Sequence, residues 1–321
     1  MAVFSSMIFF FLFQSVKDHK QLAKVMFFSV FTGICLGSIP GLIALYSHKA
    51  TALCIMDLGD KNTSAQYLAF SFALFFYLYL YRLEIGLKKY YFYFSFLIMI
   101  FLILLTYNRT LLIAILIAIF SMSIITKQWK ELKIFSVTIF TLVIIAFLSP
   151  YIRWEIKSVF HPASDPSFQG RYPVWMGAIR MWKDHPWLGA GPESFAQENI
   201  QKIYHLPVYA AHGHNLFFDI LGQYGALGVL SLGFFFIFWI TNVMKLYRYG
   251  DLPRESVALT VGAMIILLLG GITHPMWGGS CSIMLVLIMT LTFCFRPDGP
   301  VSSALPTYHP FPVPETGSIE K

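Results

Sequence analysis

Charge is what this sequence has least of. Of 321 residues, only 12% are Asp, Glu, Lys or Arg, while 57% are hydrophobic. A soluble domain carries roughly 25% charged and about 45–50% apolar residues. A soluble globular chain is therefore excluded, because no interior of this size could hide so much apolar surface. Cysteine is scarce as well. Cys35, Cys54, Cys281 and Cys294 show no metal-ligand spacing, and they read as small core residues. Segments of strict apolar–polar alternation are missing, which excludes a transmembrane barrel. No internal repeat is visible, nor the paired Gly/Pro-broken helices that mark inverted-repeat transporters. Apart from Asp219 the apolar runs hold almost no acids, so a transporter with a proton or ion relay is a weakly supported alternative.

What the chain does have is long apolar runs. A backbone in hydrocarbon must satisfy its own hydrogen bonds, so continuous runs of this kind become helices. Segments of about 20 apolar residues are long enough to cross a bilayer. The candidates are 1–16, 25–47, 64–81, 90–107, 110–126, 134–150, 217–243, 257–273 and 277–295. The expectation is an all-α, polytopic transmembrane bundle of about nine spans, with one long extracytoplasmic, partly helical loop over 151–216. The first segment is read as a span rather than a signal peptide, because Lys17-Asp18-His19-Lys20 follows Val16 in place of a small-residue cleavage site. Residues 1–295 make the membrane domain in this reading. The Pro/Ser-rich stretch 296–321 makes a disordered cytoplasmic tail.

The net charge of +7 is mainly a topology signal and not a nucleic-acid footprint. With residues 17–24 on the cytoplasmic side, cytoplasmic segments collect 14 of the 23 basic residues. The short outer loops then hold only Lys49, Lys61 and Arg109. The remaining six lie in loop 151–216, and long loops escape the positive-inside rule. This orientation puts the long loop outside the cytoplasm and the C-terminus inside.

The long loop is too aromatic for disorder, with Trp154, Trp175, Trp182 and Trp187 among its residues. Trp175, Ala178, Ile179 and Trp182 recur at helical spacing, which predicts an amphipathic helix over 172–184 with Pro173 at its start and Pro186 at its exit. Gly191-Pro192 is predicted to open a further helix whose free N–H groups would attract anions. His212-Gly213-His214-Asn215 leads into the next span. There Leu216, Phe217, Ile220, Leu221 and Tyr224 are expected to line one face, and Gly222, Gly225 and Gly228 to allow close helix packing.

Three ordered pieces carry a resemblance. Asn108-Arg109-Thr110 lies in a tight outer turn. Gly170-Arg171-Tyr172-Pro173-Val174-Trp175 runs on through His185-Pro186-Trp187-Leu188-Gly189-Ala190-Gly191-Pro192. His214-Asn215-Leu216 leads into Gln223-Tyr224-Gly225-Ala226-Leu227-Gly228. In kind, order and placement these resemble the O-antigen ligase superfamily, which includes O-antigen polymerase-like proteins and bacterial O-oligosaccharyltransferases. The turn departs from the family pattern in reading Tyr-Asn before Arg109, where small residues are usual.

The resemblance implies a glycosyltransferase in the bacterial inner membrane. Its donor would be an undecaprenyl-diphosphate-linked glycan, and its acceptor a hydroxyl on lipid A–core or another molecule. A polymerase and a protein glycosyltransferase are alternatives within the family, and the loop does not separate them. The resemblance also implies metal-independent chemistry, so no metal and no cofactor are expected.

Such chemistry needs cations at the membrane surface and a base for the acceptor. Arg109, at interface depth, and Arg171, before the loop helix, are the candidates for holding the diphosphate. Arg180 is a supporting candidate on the polar face of that helix. His214 is the candidate base, since an imidazole accepts a proton near neutral pH. His212 lies two residues away, and only the match to the His-Asn pair favours His214. Asp219 and His274 complete the supporting candidates, as a partner for His214 and as a histidine in the last outer turn.

Overall fold

The computed structural model describes residues 19–55, 60–82, 85–130, 133, 166–207, 210–275 and 279–294. Among them all regular structure is helical. The helices are α1 (His19–Tyr46), α2 (Lys61–Leu80), α3 (Lys89–Leu105), α4 (Arg109–Ile125), α5 (Pro166–Asp184), α6 (Glu198–Tyr204), α7 (Leu216–Arg248), α8 (Arg254–Gly271) and α9 (Gly279–Cys294). Four of these, α1, α2, α7 and α8, are long and apolar enough to cross a membrane, and α3 and α4 are shorter apolar helices. The expected spans 1–16 and 134–150 and the tail 296–321 lie outside the described residues. The structure therefore supports an all-helical membrane protein with four helices of spanning length among the described residues, not the full count of nine.

Helix α2 is the centre of the bundle. It is apolar on all sides, and Leu68, Phe72, Phe75 and Phe76 are all fully buried. The Phe27 ring of α1 lies 4.7 Å from Phe75 and 4.7 Å from Phe92 of α3. Helices α4 and α8 pack through a small residue: a Cβ on Gly262 would meet the Met122 sulfur at 2.5 Å. Close approach at glycine is how helices associate where lipid removes the hydrophobic drive between them. The outward faces are apolar instead. Phe234, Ile237 and Phe238 of α7 are 68%, 61% and 70% exposed, a surface that suits hydrocarbon and not water.

Side-chain caps define one end of the bundle. Asp60 accepts from the amides of Asn62 and Thr63 and starts α2. Asn108 caps α4 through the Leu111 amide, and Asn215 caps α7 through the amides of Phe217 and Phe218. Each satisfies helix-start donors that have no partner within the helix. Two of these residues also tie the helices together. Asn108 Nδ2 donates to Asn62 Oδ1 at 3.0 Å, and Asn215 Nδ2 donates to the Ile272 carbonyl, just past α8, at 2.9 Å. The starts of α2, α4 and α7 thus meet the end of α8. At the other end of α2 and α8, Tyr81 donates to Glu255 at 3.5 Å.

Two expectations for the loop are corrected. The helix begins at Pro166 and not at residue 172, with Pro173 inside it. Its buried face is Val174, Ala178 and Met181, while Trp182 is exposed. Trp175 joins this face by stacking on Phe218 of α7, with ring centroids 5.5 Å apart. Nor does Gly191-Pro192 open an α-helix. Glu193 takes a left-handed conformation and leads into a single 3-10 turn, Ser194–Ala196. That turn is too short to build the expected anion site.

Candidate functional site

The loop docks on α7 by an exchange of backbone hydrogen bonds. Gly225 interrupts α7 with φ 64° and ψ −158°, which the missing Cβ permits. The interruption frees the amides of Ala226 and Leu227, which donate to the carbonyls of Pro186 and Trp187 at 2.8 and 3.1 Å. The carbonyls left behind, Gly222 and Gln223, accept from the amides of Ala190 and Gly191 at 2.8 and 3.0 Å. These four bonds replace helix bonds that the kink breaks, as the cost of an orphaned peptide group requires. Two of the glycines expected to serve helix packing, Gly222 and Gly225, serve this loop, while Gly228 faces Ile220 and Tyr224 of α7 itself. A Cβ on Gly225 would meet the Trp187 carbonyl at 2.6 Å, and one on Gly222 would touch Phe195 at 3.0 Å. The face expected for α7 is also modified: Leu216, Asp219, Ile220 and Gln223 are buried, while Phe217 and Tyr224 are exposed.

Nearly two turns before the kink, Asp219 organises the segment that carries the histidines. Its Oδ1 accepts from the Gly213 amide at 2.6 Å, and its Oδ2 accepts from Gln223 Nε2 at 2.9 Å. Gln223 Oε1 in turn accepts from the Glu193 amide at 2.7 Å. A Cβ on Gly213 would meet the Asp219 backbone at 2.7 Å, so glycine is required there. The chain then turns sharply. His214 has φ 49°, a left-handed conformation that a non-glycine residue adopts at a cost of about 1–3 kcal/mol. Asp219 does not touch His214 through any of these bonds. It holds the loop on which His214 stands.

His214 is one of three histidines brought together. The ring of His212 lies 4.3 Å from that of His214 and 4.5 Å from that of His274, which arrives from the turn after α8. The His214 amide donates to His212 Nδ1 at 3.2 Å. His274 is backed by α2: its Nε2 lies 3.2 Å from Thr63 Oγ1 and 3.6 Å from Asp60 Oδ2. Thr63 spends its one hydroxyl hydrogen on Asp60 Oδ2, at 2.9 Å. Towards His274 it can then only accept, which fixes the proton on Nε2 and leaves Nδ1 with a lone pair. That Nδ1 is buried without a hydrogen-bond partner.

Burial sets the protonation of the cluster. It pulls His214 down to about 4, helped by the neighbouring His212 and by the positive charge of Arg171, against an opposing effect of Asp60. His274 also falls to about 4, first through burial and then against the attraction of Asp60. His212 is lowered by burial too. Burial alone would raise Asp60, but His274 and the hydrogen bonds from Thr63 and Asn62 together hold its carboxyl below the ordinary value. At neutral pH the site is three neutral imidazoles beside one carboxylate.

The structure therefore assembles four of the residues expected from sequence, His212, His214, His274 and, behind them, Asp219. Arg171 is within electrostatic reach of His214 and His274. Arg109 is the first residue of α4, beside the Asn108–Asn62 bond that ties this turn to the Asp60 end of α2. Arg180 has a different role: it is exposed, and its Nη1 donates to the Tyr204 carbonyl at 3.1 Å, clasping α6 to α5. Asp60 and Thr63 were missed. Their signal in the sequence is an N-cap Asp three residues before a Thr, just ahead of an apolar run. An open pocket adjoins Asp60, with Lys49, Thr51 and Lys61 in its wall, and adds two cations to this end of the bundle.

Residues 94–233 match the family model described as O-antigen ligase. The match spans α4, the loop and the part of α7 that holds His214, Asp219 and the Gly225 kink. The pieces that carry the resemblance in the sequence, from Asn108 to Gly228, all fall within this stretch. No curated protein matches the chain.

Proposed function

From a chain whose residues 94–233 form an O-antigen ligase family segment, we propose a membrane glycosyltransferase that moves a glycan from undecaprenyl diphosphate to an acceptor hydroxyl on the periplasmic face of the inner membrane. The family supports ligase or polymerase chemistry on a lipid-linked glycan, and lipid A–core is the acceptor proposed first. The carrying observation is the position of His214. It is a neutral imidazole in strained backbone, half-buried beside His212 and His274, with Arg171 in electrostatic reach.

His214 takes the proton of the acceptor O–H as the oxygen attacks the anomeric carbon of the donor sugar. The bond from that carbon to the diphosphate oxygen breaks, and its electron pair leaves with undecaprenyl diphosphate. Displacement in one step inverts the anomeric centre. Arg109 and Arg171 hold the diphosphate and stabilise the charge that develops on it. Donor binding also strengthens the base. Arg171 lowers the basicity of His214, and a diphosphate seated on Arg171 offsets that charge.

The test is transfer in membranes. The chain is expressed in a host that lacks its own O-antigen ligase and makes lipid-linked O-antigen, and laddered lipopolysaccharide is read on a gel. A ladder from the wild-type chain, lost in His214→Ala, Arg109→Ala and Arg171→Ala at equal membrane levels, supports the reading. An undiminished ladder from His214→Ala rejects His214 as the base. A wild-type chain that inserts but makes no ladder, while it extends lipid-linked glycan or modifies a pilin, moves the acceptor to a second glycan or to protein.

A further inference from the structure

We propose that His212, His214 and His274 form a binding site for a transition-metal ion of the Zn2+ class. One ring nitrogen from each of the three lies within 4.8 Å of the others. A tetrahedral zinc with nitrogens at about 2.0–2.1 Å sets those nitrogens about 3.4 Å apart, so the rings draw in by about an ångström. His212 and His214 are only half-buried and stand on the segment before α7, which leaves their rings room to turn.

His274 is already prepared as a ligand. It is 5% exposed, and its Nδ1 is a buried lone pair with no partner. A buried acceptor left unmade is costly, and a cation on it removes the cost. The other ring nitrogen gives its proton towards Thr63 Oγ1 and Asp60 Oδ2, at 3.2 and 3.6 Å. A carboxylate behind a histidine is the arrangement that orients metal-binding imidazoles and raises their donor strength. Three imidazoles without a carboxylate oxygen among them select zinc-like ions over calcium or magnesium, which demand oxygen ligands. Three protein ligands leave a fourth position open to water or a hydroxyl. His212 joins at the loss of its 3.2 Å hydrogen bond from the His214 amide, a small loss beside three nitrogen–metal bonds.

Occupancy has a consequence that rests on the reading of His214 as the acceptor base. An ion on His214 takes the lone pair that would receive the proton, so a bound ion stops transfer. Binding itself does not depend on that reading.

The full chain is purified in detergent, stripped with chelator, and titrated with ZnCl2 and, separately, CoCl2. The expected result is one ion per chain by mass spectrometry of the desalted protein, with visible Co2+ absorption of a low-coordinate, nitrogen-ligated centre. His274→Ala and His212→Ala should each weaken binding at least tenfold, and Asp60→Asn about 10–100-fold. Equal binding by all variants, which assigns the ion to other side chains, overturns the proposal. So does a wild-type chain that binds no Co2+ in a low-coordinate centre, a readout that needs no variant to fold. Transfer is then assayed with and without ZnCl2. Loss of transfer at the concentration that fills the site supports the second limb. Stimulation overturns that limb and removes His214 as the base. A chain that binds zinc and transfers nothing in either condition leaves the metal site standing and rejects the proposed function.

Discussion

The amide of Ala190 donates to the carbonyl of Gly222 at 2.8 Å, in the place that the Ala226 amide would fill in an unbroken helix. This one bond explains why two stretches about thirty residues apart resemble the same family together. The run from His185 to Pro192 and the run from Gly222 to Gly228 are two halves of one hydrogen-bonded unit. Gly225 is the hinge. Alanine there would need a positive φ and would press its Cβ on the Trp187 carbonyl. Gly225→Ala should destabilise the detergent-solubilised protein by about 1–3 kcal/mol and lower its melting temperature. Faster amide exchange over residues 186–191 should accompany the loss. An unchanged melt with unchanged exchange would show that the kink is not what docks the loop.

Asp219 is predicted to act through the loop and not on the substrate. Its two oxygens hold the Gly213 amide and Gln223 Nε2. Asparagine keeps one acceptor and turns an N–H towards Gln223. Asp219→Asn should therefore misplace His212 and His214 and cut transfer about tenfold or more, for a loss of roughly 1–3 kcal/mol in the buried bonds. The KM for the donor should change less than kcat, because Asp219 positions the base and touches no phosphate. A raised KM with kcat preserved would move Asp219 to the binding site.

The acid limb of the pH profile gives a separate check. Burial and Arg171 hold His214 at about 4, below its ordinary value of 6.5. A base that is deprotonated throughout the neutral range keeps kcat/KM flat from pH 8 down past 6, and loses it only as the pH falls towards 4. Arg171→Gln removes one of the causes that lower the histidine, so the basicity rises and the acid limb moves to higher pH. The same variant should raise the donor KM. A wild-type limb centred near 6.5 would mean that His214 is better solvated than its surroundings indicate.

Much of the fold was legible because hydrophobic length is read directly from sequence. The extents of α2, α4, α7 and α8 follow the apolar runs that imply them. Helix α5 was displaced because its period allows two faces. Packing chose Val174, Ala178 and Met181, and tryptophans alone do not reveal that choice. The position of His214 at the start of α7 was legible through the His-Asn pair, since Asn215 is the cap of α7 and fixes where the helix starts. Asp60 was not, because its role depends on His274, more than two hundred residues away, and no local pattern records that distance. The gathering of three histidines has the same origin: two stand two residues apart in the chain and the third comes from another helix end.

Thr63 and Arg180 make a contrast that separates site from scaffold. Thr63→Val keeps the shape of the side chain but removes the oxygen that accepts from His274 Nε2 and donates to Asp60. The proton on His274 is then no longer fixed. Transfer should fall several-fold, and Thr63→Ser, which restores the hydroxyl, should recover most of it. Arg180→Met removes only the bond to the Tyr204 carbonyl at an exposed position, where such a bond contributes about 1 kcal/mol or less. Its transfer rate should stay within about twofold of wild type, with at most a small fall in melting temperature. If Arg180→Met instead abolished transfer while Thr63→Val did not, the cations of the loop helix would be the reacting centre, and the histidine cluster would serve only to hold the helix ends together.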